Sequence, residues 1–114
     1  MSAITTHVLD TALGRPARGV PVLLELRAPG GDFRELGRGL TDDDGRCRTL
    51  LAAEHVLQAG AYRITFDTAA YFAGLATEAF FPSVSVAFEL KTPVGHYHVP
   101  LLLSPFGYST YRGS

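Results

Sequence analysis

GVPVLLEL, residues 19–26, carries an apolar side chain at every second position. The positions that share one face are Val20, Val22, Leu24 and Leu26, whereas Glu25 and Arg27 fall on the other face. A period of two is the pattern of a β-strand that buries one face and exposes the other. This stretch therefore predicts a strand that packs against a core.

Six further runs read as strands around it, at residues 6–10, 33–41, 61–67, 83–90, 96–104 and 107–114. AYRITFD is one of the clearest, with Tyr62, Ile64 and Phe66 on one face. Segments rich in Gly, Pro and Asp, where chains reverse, lie between most of the runs. Many short strands at this spacing predict an all-β protein, an antiparallel sandwich.

One segment breaks the alternation. DTAAYFAGLA begins with Asp67 and Thr68, which are suited to capping a helix, and its Ala, Phe and Leu residues tolerate helical structure. We expect one short helix near residues 68–75. Because the chain has no internal repeat, low-complexity tract or linker, we expect a single domain over residues 1–114.

Composition limits the functional classes. The net charge of −1 over 114 residues argues against a broad positive electrostatic field that would attract nucleic acid or an anionic membrane. Cys47 is the only cysteine, which excludes an intramolecular disulfide and fits a reducing compartment. The start lacks the pattern of a secretory signal, and no run is long enough to span a bilayer. We expect a soluble cytoplasmic protein.

The run HYHVPLLLS contains Pro100, which cannot donate a hydrogen bond to a neighbouring strand. It therefore predicts either an edge strand or a local irregularity. The run and the residues after it are also very apolar, more so than one sandwich can bury by itself. Exposed apolar strands need a covering partner, so we expect self-association.

Three histidines are candidates for chemistry. His96 and His98 are two apart on a predicted strand and share a face, and His7 opens the run HVLD. The pattern leaves three interpretations open: metal ligands, acid–base groups, or polar residues on a solvated face. No carboxylate or cysteine at a matching spacing supports the metal. The fourth histidine, His55, we take as a surface residue.

Arg46 follows the turn TDDDG and has two interpretations. It either pairs with the aspartates at 42–44 on the surface or presents a forked guanidinium to a planar substrate. The same two interpretations apply to Arg112. Arg46 and Arg48 flank Cys47 and could lower the pKa of its thiol, although flanking charge alone does not make a nucleophile. No Gly-x-Ser-x-Gly elbow or phosphate-binding glycine loop is present.

The closing stretch YSTYRGS, residues 108–114, also has two interpretations. Terminal residues that are held in place usually belong to a docked strand. Alternatively, they line a pocket.

Two blocks of sequence carry a resemblance. HVLDTALGRPA, from residue 7, and YHVPLLLSPFGYSTYRGS, from residue 97, resemble the signature blocks of the 5-hydroxyisourate hydrolases, transthyretin-like enzymes of urate breakdown. TDDDGRC and GAYRITFDTAAYF between them are also similar to the family. The likeness spans nearly the whole chain, and the terminal YRGS is its most specific part.

The resemblance implies a fold and an assembly. The fold is a transthyretin-like antiparallel β-sandwich of two four-stranded sheets with one short helix. The assembly is a homotetramer, a dimer of dimers, with active sites at the dimer–dimer interface. The implied reaction adds water to an amide-type bond of 5-hydroxyisourate and opens its six-membered ring, without metal or cofactor. The product is 2-oxo-4-hydroxy-4-carboxy-5-ureidoimidazoline.

The resemblance also implies site residues. His7, Arg46 and His98 match the catalytic set, and His96 lies outside it as a neighbour. The expected substrate-binding residues are Tyr111, Arg112, Gly113 and Ser114. The two histidines would share water activation and proton relay, and Arg46 would hold the substrate's carbonyl edge and stabilise developing charge.

Two other functions compete with the enzyme. One is a transthyretin-like carrier that binds a small aromatic ligand without turning it over. The other is a sandwich domain used only for assembly. A carrier has no need of His7, Arg46 and His98 together, which favours the hydrolase.

Overall fold

A computed structural model of the protein describes residues 3–114. The nine strands are β1 (Ile4–Asp10), β2 (Arg15–Pro16), β3 (Pro21–Arg27), β4 (Phe33–Leu40), β5 (Arg46–Cys47), β6 (Gly60–Phe66), β7 (Val84–Leu90), β8 (Tyr97–Ser104) and β9 (Gly107–Thr110). One helix, α1 (Thr68–Gly74), lies between β6 and β7.

The strands form two sheets. The first sheet has the order β2-β1-β8-β9, with β5 also paired to β1. The second sheet has the order β4-β3-β6-β7. The predicted sandwich and its helix are therefore confirmed, and every strand predicted from alternation is present.

The first sheet departs from the expected arrangement in two ways. Two short strands, β2 and β5, raise its count to five, because two-residue pairings within turn-rich segments have no sequence pattern of their own. The pairing of β1 with β8 is parallel, with Thr5 opposite His98 and His7 opposite Pro100. Parallel neighbours need a long crossover, and here most of the chain provides it.

The core lies between the two sheets. The apolar face predicted for residues 61–67 is fully buried, since Tyr62, Ile64 and Phe66 have no exposed surface. On the first sheet, Val8 and Leu101 are equally inaccessible. Each such side chain contributes about 1.5–3 kcal/mol of hydrophobic stabilisation relative to full exposure. The opposite faces of β1 and β8 are thereby left to carry polar side chains.

Helix α1 begins where the sequence predicts it. The Asp67 carboxylate accepts a hydrogen bond from the Ala70 N–H at 3.0 Å, which caps the first turn. Tyr71 is buried on the inner side of the helix, and its hydroxyl donates to Oδ2 of Asp10 at 2.6 Å. This bond ties the helix to the end of β1.

Pro100 lies in an interior strand rather than at an edge, and the local irregularity is what the structure shows. The ladder between β8 and β9 runs only from Leu101 opposite Thr110 to Ser104 opposite Gly107. Pairing resumes at a single bridge between His98 and Gly113. The Pro100 carbonyl faces β9 and accepts from the Thr110 hydroxyl at 2.7 Å. The missing N–H of Pro100 thus falls within the interruption.

Candidate active site

Strand register brings the predicted residues together on the outer face of the first sheet. Arg46 is opposite His7 across β5 and β1, and Thr5 is opposite His98 across β1 and β8. Because Thr5 and His7 are two apart on one strand, they share a face. His98 is bridged in turn to Gly113. Residues from both ends of the sequence therefore meet at one place.

The TDDDGR turn fixes Arg46 beside His7. Oδ1 of Asp42 accepts from the backbone N–H groups of Asp44 at 2.9 Å and Arg46 at 3.0 Å. Gly45 has a φ of +74°, a conformation that favours glycine, and its carbonyl accepts the Val8 N–H at 2.7 Å. A Cβ at residue 45 would also collide with the Val8 carbonyl oxygen. The turn is consequently held against β1 by a residue that must be glycine.

The turn aspartates pair with other arginines. Asp42 and Asp44 bind Arg48 at 2.5 and 3.4 Å, and Asp43 binds Arg18 at 2.8 Å. No ion pair within residues 3–114 involves Arg46. The surface-pair interpretation of Arg46 is therefore wrong, and its guanidinium remains available to an anionic or carbonyl-rich ligand.

These side chains line an open cleft of about 370 Å³. Six of the seven predicted site residues belong to its described lining, namely His7, Arg46, His98, Tyr111, Gly113 and Ser114. Arg112 instead lines a neighbouring cleft of about 230 Å³. Its guanidinium carbon lies 5.1 Å from the centre of the Tyr97 ring, a cation–π arrangement.

Two of the three cleft histidines, His7 and His98, favour the neutral form. Burial lowers the pKa of His7 below its ordinary value, and the positive charge of Arg46 lowers it further. The pKa of His98 is lowered by burial and then by Arg46, His7 and His96. A neutral imidazole has a free lone pair, which a general base requires. The cleft therefore holds two potential bases beside the guanidinium of Arg46.

Gly113 is shaped to the ring of His98. Its N–H donates to the His98 carbonyl at 2.8 Å. A Cβ at residue 113 would lie 2.6 Å from Cδ2 of His98 and 3.2 Å from Cγ of Pro100. The backbone of the closing segment thus packs directly against the imidazole. Any residue other than glycine at position 113 would displace the His98 ring or the segment itself.

Four other lining residues, Thr5, Thr6, Arg48 and His96, fall outside the set predicted as catalytic or substrate-binding. The pair His96 and His98 is visible in the sequence, and the structure confirms that both rings face Thr5. Thr5 itself could not be found from the sequence, because its position depends on the parallel pairing of β1 with β8.

Cys47 is buried, and desolvation raises the pKa of its thiol despite the flanking arginines, which agrees with flanking charge alone not making a nucleophile. The expectation for His55 is wrong. His55 is half-buried rather than superficial, and its Nε2 has no hydrogen-bond partner among residues 3–114. In the same part of the chain, no group of His, Cys, Asp or Glu side chains is arranged to hold a metal ion.

Comparison with known proteins identifies the family. The sequence profile of the HIUase/Transthyretin family matches residues 4–113. The chain belongs to this family. Within it, the chain is 46% identical over 114 residues to the 5-hydroxyisourate hydrolase of Mus musculus, covering 99% of this chain and 96% of that protein. It is 44% identical to the 5-hydroxyisourate hydrolase of Deinococcus radiodurans, covering 97% of this chain and 95% of that protein.

Solved structures of the family agree with the fold. Sea bream transthyretin in complex with thyroxine has a TM-score of 0.91 at 32% identity, covering 98% of this chain and 95% of that chain. The Klebsiella pneumoniae 5-hydroxyisourate hydrolase has a TM-score of 0.84 at 38% identity, covering 97% of this chain and 98% of that chain. The fold is thus shared by a transthyretin solved in complex with thyroxine and by a hydrolase, so the residues of the site must distinguish the two functions.

Proposed function

We propose that this protein is a 5-hydroxyisourate hydrolase, which opens the six-membered ring of its substrate by adding water to an amide-type bond. One observation carries the proposal: two imidazoles with lowered pKa values and an arginine without an ion pair share one cleft. The 5-hydroxyisourate hydrolases named above are also more similar in sequence than sea bream transthyretin is.

The chemistry follows from the charges of the cleft. Neutral His98 and His7 deprotonate water and return a proton to the leaving nitrogen. The Arg46 guanidinium stays protonated throughout, so it binds the carbonyl edge and stabilises the oxyanion that forms. Residues 3–114 supply acid, base and oxyanion groups here, and no cofactor is assigned a step.

The closing segment is proposed to bind the substrate. Tyr111 and Ser114 border the cleft and would orient the planar ring, while Gly113 shapes the wall beside His98. Arg112 would join this set by leaving the Tyr97 ring for a ligand. The change is small in energy, because an exposed cation–π contact contributes about 0.5–1 kcal/mol.

We further propose a homotetramer, a dimer of dimers, with its active sites at the dimer–dimer interface. Strands β7 and β9 are the edges of their sheets, and residues of both border the second cleft. A second copy that extends both sheets would cover these unpaired backbone groups. The His-bearing faces of two such dimers would then face each other across a solvent-filled channel that contains the cleft.

The proposal also covers the domain organisation and the cellular compartment of the protein. Residues 1–114 would act as one domain, since both sheets share one core among the described residues. The cytoplasm would be the compartment, which agrees with a buried thiol that is free of any disulfide. No helix in residues 3–114 is long and apolar enough to cross a membrane.

The test follows the ultraviolet decay of 5-hydroxyisourate freshly made by urate oxidation. We expect the protein to accelerate the decay above the spontaneous rate, and His98→Asn to lose about a hundred- to ten-thousand-fold of that acceleration. His55→Asn, a histidine change outside the cleft, is the matched control and keeps its rate. A decay no faster than the spontaneous one, with saturable binding of the substrate, would favour the carrier. Light scattering on the same samples tests the tetramer by its mass.

A further inference from the structure

The hydroxyl of Thr5 lies between two imidazole rings. Its Oγ1 is 2.8 Å from Nδ1 of His98 and 3.0 Å from Nε2 of His96. The two rings are nearly parallel, with an interplanar angle of 17° and centroids 6.3 Å apart. Thr5 is 7% exposed, His98 is half-buried, and His96 is exposed. All three side chains border the cleft, and His96 is the one among them that is exposed to solvent.

Proton counting limits what these three side chains can do. A threonine hydroxyl has one hydrogen to donate, so it cannot donate to both ring nitrogens. If His98 Nδ1 carries a hydrogen and donates to Thr5, Thr5 can donate to His96. If His96 Nε2 carries the hydrogen, the donation runs in the opposite direction. Moving two protons through these hydrogen bonds converts one arrangement into the other.

The same bond decides which atom of His98 meets the substrate. Because Nδ1 is occupied by Thr5, Nε2 is the nitrogen left to face water in the cleft. A carboxylate usually orients a catalytic imidazole in this way. None of the described residues that line this cleft is Asp or Glu. Thr5 takes the orienting position, with His96 behind it.

The proposed reaction must also release a proton. Adding water across an amide-type bond gives an amine-type N–H and a carboxylic acid. The acid is ionised near neutral pH, since carboxyl pKa values lie near 4. One proton therefore leaves the site in each turnover. Arg46 cannot carry it, because its guanidinium does not deprotonate.

We propose that Thr5 and His96 form a proton relay that carries a proton from Nδ1 of His98 to solvent, an inference that rests on the proposed hydrolase function. His98 Nε2 first takes a proton from the attacking water, and the ring becomes an imidazolium. The Nδ1 proton then passes to the Thr5 oxygen as the Thr5 hydrogen passes to His96 Nε2. His96 loses a proton to bulk water. No bond other than O–H and N–H changes, and no oxidant or reductant is involved.

After one passage, His98 is neutral with its hydrogen on Nε2. The leaving nitrogen takes the second proton of the attacking water through His7, so the product acid forms as its carboxylate. Nε2 then gives its hydrogen to cleft water while a hydrogen returns to Nδ1 through Thr5, which restores the starting tautomer and leaves a net release of one proton. Thr5 and His96 are thus positioning and relay residues, whereas His98 is the group that touches the reacting atoms. Exposed His96 suits the outlet because an imidazole exchanges protons readily near neutral pH.

The first experiment needs no substrate. ¹⁵N spectra of the imidazoles report which nitrogen of His98 carries hydrogen. We expect Thr5→Val to change both His98 ¹⁵N shifts, and Thr5→Ser, which keeps the hydroxyl, to preserve the wild-type values. Thr11→Val is the matched control, because it removes a threonine hydroxyl at the other end of the same sheet, where Thr11 donates to the Leu103 carbonyl. Identical His98 shifts in Thr5→Val and wild type would overturn the relay.

The second experiment measures proton transfer. We expect His96→Ala to lower the maximal rate about tenfold in dilute buffer, and added imidazole to restore it, because free imidazole replaces the lost outlet. The wild type should not respond to imidazole. A His96→Ala rate that equals the wild-type rate, or one that imidazole does not restore, contradicts the relay. If the wild type itself fails to accelerate the decay, the hydrolase proposal fails, while the ¹⁵N experiment still decides the coupling of Thr5 to His98.

Discussion

Gly113 lies so close to His98 that a Cβ at residue 113 would sit 2.6 Å from Cδ2 of the imidazole. We expect Gly113→Ala to displace the ring and to lower kcat/KM about 10- to 100-fold, because misplacing a catalytic group by about 1 Å has effects of this size. Stability should change little, since Gly113 does not have a positive φ. Steady-state kinetics and a thermal melt measure the two effects.

The control for that change is Gly107→Ala, in the same closing hairpin. A Cβ there would approach only the Ser104 Oγ, at 3.7 Å, which is ordinary contact. Gly107→Ala should keep the wild-type kcat/KM. Full activity in Gly113→Ala would mean that the contact with His98 does not position the base.

The turn before Arg46 supplies a test of stability. Gly14 and Gly45 both have positive φ, at +68° and +74°, but only a Cβ at residue 45 meets backbone. We expect Gly14→Ala to lower the free energy of unfolding by about 1–2 kcal/mol, the usual effect of that conformation on a side chain. Gly45→Ala adds the collision with Val8 and should lower it by about 3 kcal/mol or more. Urea unfolding measures the loss in the free energy of unfolding for both variants. Equal losses would show that the turn moves away from Val8 without strain.

The charge of Arg46 should be visible in the titration of its neighbours. Burial and Arg46 both lower the pKa values of His7 and His98, so the rings stay neutral until the pH falls below the ordinary histidine value of about 6.5. Arg46→Gln removes a positive charge that repels the imidazolium, so both pKa values should rise. Proton NMR of the ring hydrogens measures this without any turnover.

The control for that titration is Arg18→Gln, at an exposed arginine that pairs with Asp43 and is not among the causes of either histidine pKa shift. It should leave both histidine pKa values where they are. In the wild type, kcat/KM should fall as the pH drops through the lowered pKa values of His7 and His98, because the protonated imidazoles cannot act as bases. A His98 pKa that does not rise in Arg46→Gln would contradict the assigned electrostatic contribution of Arg46.

The bond between Tyr71 and Asp10 anchors the helix, and Asp10 is only 1% exposed. Tyr71→Phe leaves Oδ2 of a buried carboxyl without its donor, which should lower the free energy of unfolding by about 1–3 kcal/mol. Tyr108→Phe removes the same hydroxyl from an exposed ring and should change it by less than about 0.5 kcal/mol. Unfolding in guanidinium chloride measures the free energy of unfolding of both variants. A loss no larger than that of Tyr108→Phe would mean that water satisfies Asp10.

Much of the fold is readable from alternation. Tyr62, Ile64 and Phe66 are buried as predicted, because a period of two puts every second residue on the core face. The helix was found because Asp67 caps it. By contrast, β5 has two residues, and its position depends on a turn folding back onto β1. No local pattern reports such a contact.

The site was readable only in part, for a related reason. The resemblance of the two signature blocks singled out His7 and His98, that of TDDDGRC singled out Arg46, and the register of the first sheet brings the three together. The two interpretations of Arg46 stayed open in the sequence, because Arg46 and Arg48 both lie within reach of the turn aspartates along the chain. The two arginines are two apart and both border the cleft, so alternation does not tell which of them pairs with the aspartates.

The parallel pairing of β1 with β8 joins Thr5 to a histidine 93 positions further along the chain. Contacts so distant in sequence require a large loop to close, and they slow folding. During synthesis, β1 must remain without β8 until residues 97–104 have left the ribosome. The cleft can therefore assemble only after both ends of the first sheet have been made, and a shorter nascent chain lacks the wall that His98 provides.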